Sequence, residues 1–100
     1  MVSDTVIHEQ QVTVYLSGEL TVQDAGDLRK HLYDKIDAGF RSFIIDMNEL
    51  HYIDSAGLGI LVSVLKKTRE KQGTILIRGA KDGVKKVFEL TRLTAVFDFD

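Results

Sequence analysis

Along this chain of 100 residues, the spacing of apolar side chains switches repeatedly between a period of two and a period near 3.6. One segment cannot satisfy both periods, so each switch marks a change between strand and helix. Val12, Val14 and Leu16 point one way while Thr13, Tyr15 and Ser17 point the other, the alternation of a half-buried strand. Val6-Ile7-His8 reads as a short edge strand paired with it across a Glu9-Gln10-Gln11 turn. Thr21 then opens a helix, with Asp24 as the acidic member of a capping box and Ala25, Leu28, Leu32 and Ile36 on its apolar stripe. Gly39 ends it. Ser42 to Met47 is a short, nearly continuous apolar run, which suits a strand covered on both faces. Leu58, Leu61, Val62 and Leu65 share one face of a second helix, with Lys66, Lys67, Arg69 and Glu70 on its solvated remainder and Gly73 as its stop. Thr74 to Arg78 is a further strand, Asp82 to Leu90 a shorter helix burying Val84, Val87 and Phe88, and Val96-Phe97 a last edge strand. The order β-β-α-β-α-β-α-β predicts an α/β fold, a mixed central β-sheet packed against helices, as one domain over residues 1–100.

Composition narrows the function classes. The chain has no cysteine, which excludes a disulfide framework, a thiolate zinc site and a thiol nucleophile. Thirteen basic against fifteen acidic residues leave a net charge of −2, a poor footprint for nucleic acid or an anionic membrane. No basic segment followed by an apolar stretch opens the sequence, and no apolar run approaches the ~20 residues of a membrane span. The expectation is a cytoplasmic protein without direct nucleic-acid binding or membrane insertion.

The sharpest local feature is Asp54-Ser55-Ala56-Gly57 where a strand passes into a helix. Either Asp54 or Ser55 can cap that helix by accepting a hydrogen bond from an orphan backbone N–H. The functional alternative leaves Ser55 exposed, where a phosphoryl group or a partner carboxylate meets free N–H groups and the helix dipole. Gly57 and Gly59 favour it, since each costs a helix about 1 kcal/mol against alanine and a closely approaching partner backbone would need them. Hydrolase chemistry does not fit: a nucleophile elbow requires glycine where Ile53 stands, and no spacing supplies a group to orient His51. A dinucleotide site fails because Val62 occupies the third glycine position. Asp46 ends a buried strand as a receiver-type phosphoacceptor would, but of the acidic residues needed to hold Mg²⁺ only Glu19 is available. His8, His31 and His51 fall on different elements with no metal-ligand spacing. The cluster Lys66, Lys67, Arg69 and Lys71 reads as the wet face of a helix; Lys81, Lys85, Lys86 and Arg92 read similarly.

Over Ile53-Asp54-Ser55-Ala56-Gly57-Leu58-Gly59-Ile60-Leu61 the chain resembles the anti-sigma factor antagonists of bacteria, which are single STAS domains. Gly18-Glu19-Leu20, Ile44-Ile45-Asp46-Met47 and Val84 to Thr91 fall where that family has like segments. The resemblance implies a STAS-type fold and a switch protein, not an enzyme, with no cofactor of its own. The serine matching Ser55 is phosphorylated in that family by an anti-sigma factor that is itself a serine kinase. The unphosphorylated form binds this kinase and frees a sigma factor, and a serine phosphatase restores it. The resemblance places Thr21, Asp54, Ser55, Gly57, Leu58 and Gly59 in the partner-binding surface. Many family members carry aspartate where this chain has Thr21, which bears on the choice of kinase. The runner-up is a non-switching accessory subunit or scaffold in a membrane transport or stress-signalling complex.

Overall fold

A computed structural model describes residues 1–100. Strand β1 (Val2–His8) and β2 (Gln11–Leu20) form a hairpin; α1 (Val22–Asp37), β3 (Ser42–Ile53), α2 (Ser55–Glu70), β4 (Thr74–Arg78) and α3 (Asp82–Leu90) follow. A 3-10 turn (Leu93–Ala95) leads into β5 (Asp98–Phe99). The sheet order is β1-β2-β3-β4-β5, antiparallel between β1 and β2 and parallel thereafter. This is the mixed sheet and element order expected.

The parallel strands advance one place at a time in a single direction. Right-handed crossovers then set every helix on the same face of the sheet. That face is the core: Val12, Val14 and Leu16, Phe43, Ile45 and Met47, and Ile75 and Ile77 meet Leu28, Leu32, Ile36, Leu61, Leu65, Val84 and Phe88. Phe88 packs edge-on against both Phe97 and Phe99. β3 is therefore covered by helices on one face, not two. On its other face Ile44 is half-buried, and Asp46 is covered by side chains of its own sheet.

Other boundaries also shift. β1 begins at Val2, and the hairpin closes with two residues because Glu9 adopts a left-handed backbone (φ 56°), which puts Gln11 into β2. β3 continues six residues past Met47, since its second half, exposed except for Leu50 and Ile53, zips onto β2 with two bulges while β4 stops at Asp46. On α2 the buried stripe runs through Val64 and Thr68, with Val62 at its edge. Gln72, not Gly73, takes the left-handed position after α2 (φ 65°). Gly73 is needed for space: a Cβ there would lie 2.5 Å from the Arg41 carbonyl oxygen. The last strand sits two residues later than Val96-Phe97, because Phe97 turns inward to the core.

Asp46 has a structural role. It accepts from Arg78 Nε at 2.9 Å and from the backbone and side-chain nitrogens of Asn48, each at 3.0 Å. Burial by itself would raise its pKa, but these hydrogen bonds and the guanidinium outweigh it and hold the carboxyl below the usual range. His31, hydrogen-bonded to Thr5 Oγ1 at 2.8 Å, is shifted down by burial and then by Lys35. Both groups bind protons more readily when unfolded, so stability falls as acid is added. His31 acts below an ordinary histidine pKa of about 6.5 and Asp46 below about 3.9. Urea midpoints between pH 3 and 8 should show both declines; His31→Gln removes the first and Asp46→Asn the second.

Candidate functional site

β2 and β3 end side by side, Leu20 level with Ile53, and each leads directly into a helix. Two helix N-termini thus start together, each with backbone N–H groups that lack helical acceptors. One carboxylate serves both. Asp54 caps α2, accepting from Gly57 N at 2.9 Å through Oδ1, and accepts from Val22 N, the first residue of α1, at 3.1 Å through Oδ2. Its own N–H donates to the Leu20 carbonyl at 3.1 Å.

Thr21 is the N-cap of α1 by backbone geometry, its carbonyl accepting from Asp24 N and Ala25 N at 2.9 Å. Its side chain caps nothing, so the expected capping box with Asp24 does not form. The acceptor comes instead from Asp54, across the junction. A cap is worth about 1 kcal/mol. Asp54→Ala removes two such acceptors and should lower unfolding stability by about 2 kcal/mol in urea titration, with Asp54→Asn losing less.

Because Asp54 is the cap, Ser55 becomes the first residue of α2. It is exposed, its hydroxyl bonds to nothing in the chain, and the amides of Ser55 and Ala56 have no acceptor there. A free hydroxyl beside unpaired donors at the positive end of a helix can carry an anion at little internal cost.

The two glycines of this turn separate cleanly. Gly57 is buried, and a Cβ on it would stand 2.6 Å from the Leu20 carbonyl oxygen and 2.8 Å from Leu20 Cγ. It lets α2 start hard against the end of β2. Gly59 is exposed and a Cβ on it would meet nothing within 4 Å. No internal contact explains a residue that weakens the helix by about 1 kcal/mol. Gly26, one turn into α1, is open in the same way.

The structure therefore gathers Thr21, Asp54, Ser55 and Gly59 at one end of the sheet, while Gly57 and Leu58 line the inner side of the same turn. It adds two residues that sequence reasoning did not single out. Val22 is 70% exposed and Tyr52 52% exposed, large apolar side chains on either side of the Asp54 junction. Tyr52 carried a signal, since it precedes Ile53 on the opposite face of its strand. Val22, three residues before Ala25, has the spacing of the buried stripe, and only the structure shows it exposed at the first position of α1.

The STAS domain family model matches residues 3–100. The Bordetella bronchiseptica protein BtrV, provisionally named an anti-sigma factor antagonist, is 33% identical over 82 residues, 82% of this chain and 71% of BtrV. The anti-sigma-B factor antagonist of Staphylococcus aureus is 29% identical over 90 residues, 90% of this chain and 83% of that protein. The Bacillus anti-sigma factor antagonist SpoIIAA has been solved without and with phosphate. The phosphorylated structure superposes with a TM-score of 0.78 at 19% identity, covering 97% of this chain and 89% of SpoIIAA. The family match spans almost the whole chain and includes the Asp54–Ser55 junction: the chain belongs to the STAS domain family.

Proposed function

We propose that this protein is a cytoplasmic anti-sigma factor antagonist controlled by phosphorylation of Ser55. Unmodified, it binds an anti-sigma factor that is also a serine kinase, and a sigma factor is released. The kinase transfers the γ-phosphoryl group of ATP to Ser55 Oγ, the hydroxyl proton leaves and ADP departs; the modified face no longer fits. Hydrolysis by a serine phosphatase restores binding.

The observation that carries this reading is the unbonded, exposed Ser55 hydroxyl, left free because Asp54 alone satisfies the cap. Relatives named anti-sigma factor antagonists, and SpoIIAA solved in phosphorylated and unphosphorylated forms, support it. On this reading Thr21, Asp54, Ser55 and Gly59 meet the partner, flanked by Val22 and Tyr52, and Gly57 and Leu58 hold the turn in place. Aromatic side chains set in the middle of an interface often dominate its affinity.

The test is capture from the host lysate with unmodified chain, Ser55→Ala and Ser55→Asp as bait. A kinase retained by the first two and lost with the third supports the switch. Transporter subunits held equally by all three would replace it with a static accessory role.

A further inference from the structure

Beyond the Ser55 turn, α2 carries a basic groove that the switch reading leaves unused. The open groove offers about 640 Å³ and is lined by Gly59, Ser63, Lys66 and Lys67 from α2, by Lys71 just past the end of that helix, and by Tyr33 from α1. Its floor is fixed: the Tyr33 and Ser63 hydroxyls bond to each other, and the Lys67 ammonium lies 4.5 Å above the Tyr33 ring and 3.2 Å from Asp37. Lys67 is thus already matched. Lys66 and Lys71 form no ion pair, and Glu70 is the one acid among the lining residues. The groove begins at Gly59, one turn after Ser55, and runs to Lys71, about 18 Å of helix at 1.5 Å per residue. At its open end stands Gly59, a glycine for which the fold itself offers no reason.

We propose that this groove docks an acidic segment of the protein partner that engages Ser55, its carboxylates pairing with Lys66 and Lys71 while its backbone passes over Gly59. The inference rests on the proposed function for the identity of the partner, and on the groove alone for the chemistry. Three features select a carboxylate-bearing chain. Two unmatched ammonium groups and two hydroxyls line it; a missing side chain admits a backbone; and the site continues directly from the Ser55 surface. Nucleic acid is disfavoured, because the aromatic face in the groove is already covered by Lys67 and the net charge is −2.

Two arms test it. In the first, the ¹⁵N-labelled chain is titrated with a synthetic Glu-rich peptide, and separately with inorganic pyrophosphate. Shifts confined to the amides of Gly59, Ser63, Lys66, Lys67 and Lys71, absent in the Lys66→Glu/Lys71→Glu variant, support the groove. Shifts spread equally over Lys81, Lys85 and Lys86 overturn it, as does pyrophosphate producing the groove shifts at lower concentration than the peptide. In the second, the purified kinase partner is titrated by calorimetry against the unmodified chain, Lys66→Glu/Lys71→Glu and the control Lys81→Glu/Lys86→Glu. The groove variant should bind about tenfold or more weakly and lose most of the salt dependence, with the control within about threefold. Equal weakening by both pairs, or none by either, overturns the proposal. Loss of binding by the groove variant with no loss by Ser55→Asp would instead overturn the switch and leave the groove standing.

Discussion

Stoichiometric phosphorylation of Ser55 is expected to weaken partner binding at least about 100-fold while leaving thermal stability nearly unchanged. The affinity effect follows from charge. A phosphoserine brings about −1.5 to −2 charges at neutral pH, directly beside the Asp54 carboxylate. A partner face fitted to a neutral hydroxyl must then desolvate that charge next to a second anion, and such mismatch costs several kcal/mol across an interface. Each 1.4 kcal/mol is tenfold, so about 3 kcal/mol gives the stated loss. The stability effect is small because two opposing terms act within the chain. The free amides of Ser55 and Ala56 and the α2 dipole attract the phosphate, and Asp54 repels it. Titration calorimetry and a melting curve on the same phosphorylated sample measure both quantities. Unchanged affinity would refute the switch. A large drop in melting temperature would instead make it an unfolding mechanism, not an interface one. Ser55→Asp carries less charge and should lose less.

Gly57→Val should destabilise the protein by about 3 kcal/mol, the upper end of typical overpacking costs, whereas Gly59→Ala should stabilise it by up to about 1 kcal/mol. The two positions are two residues apart on one helix, so propensity alone predicts the same sign for both. The difference is what each Cβ meets. At Gly57 it meets the Leu20 carbonyl oxygen at 2.6 Å, a backbone atom that also receives the Asp54 N–H. Relief requires moving the start of α2 away from β2, which strains the Asp54 bridge between the helices. At Gly59 the added methyl meets nothing. For a domain of this length each kcal/mol moves the midpoint by about 4–8 °C, so thermal melts separate the two variants readily. If Gly59→Ala gains stability and also loses partner affinity, the glycine is there for the partner. Equal destabilisation at both sites would contradict the geometry at Gly59.

The element order, the apolar stripe of α1 and the capping chemistry of Asp54-Ser55 were readable from the chain, because period and capping are local. Thr21 joined that site only through the family resemblance, and Val22 and Tyr52 only through the structure. Ala25, Leu28, Leu32 and Ile36 are all buried as their spacing requires. Local rules failed where a neighbour from elsewhere in the chain intervened. Thr21 and Asp24 have the spacing of a capping box, yet Asp54, 33 residues after Thr21, supplies the acceptor because β2 and β3 end together. β3 looked like a six-residue buried strand and extends to Ile53, since backbone pairing with β2 does not depend on an apolar sequence. Gly57 and Gly59 looked equivalent and are not.

What the sequence determined by itself was the set of strands and helices and the chemical candidates, all of which depend on residues a few positions apart. What only the tertiary structure decided was which of Asp54 and Ser55 is the cap, which glycine the fold requires, and which lysines share a groove with Tyr33. Those depend on through-space distances of a few ångströms between segments some thirty residues apart, and such distances exist only once the sheet has brought the segments together.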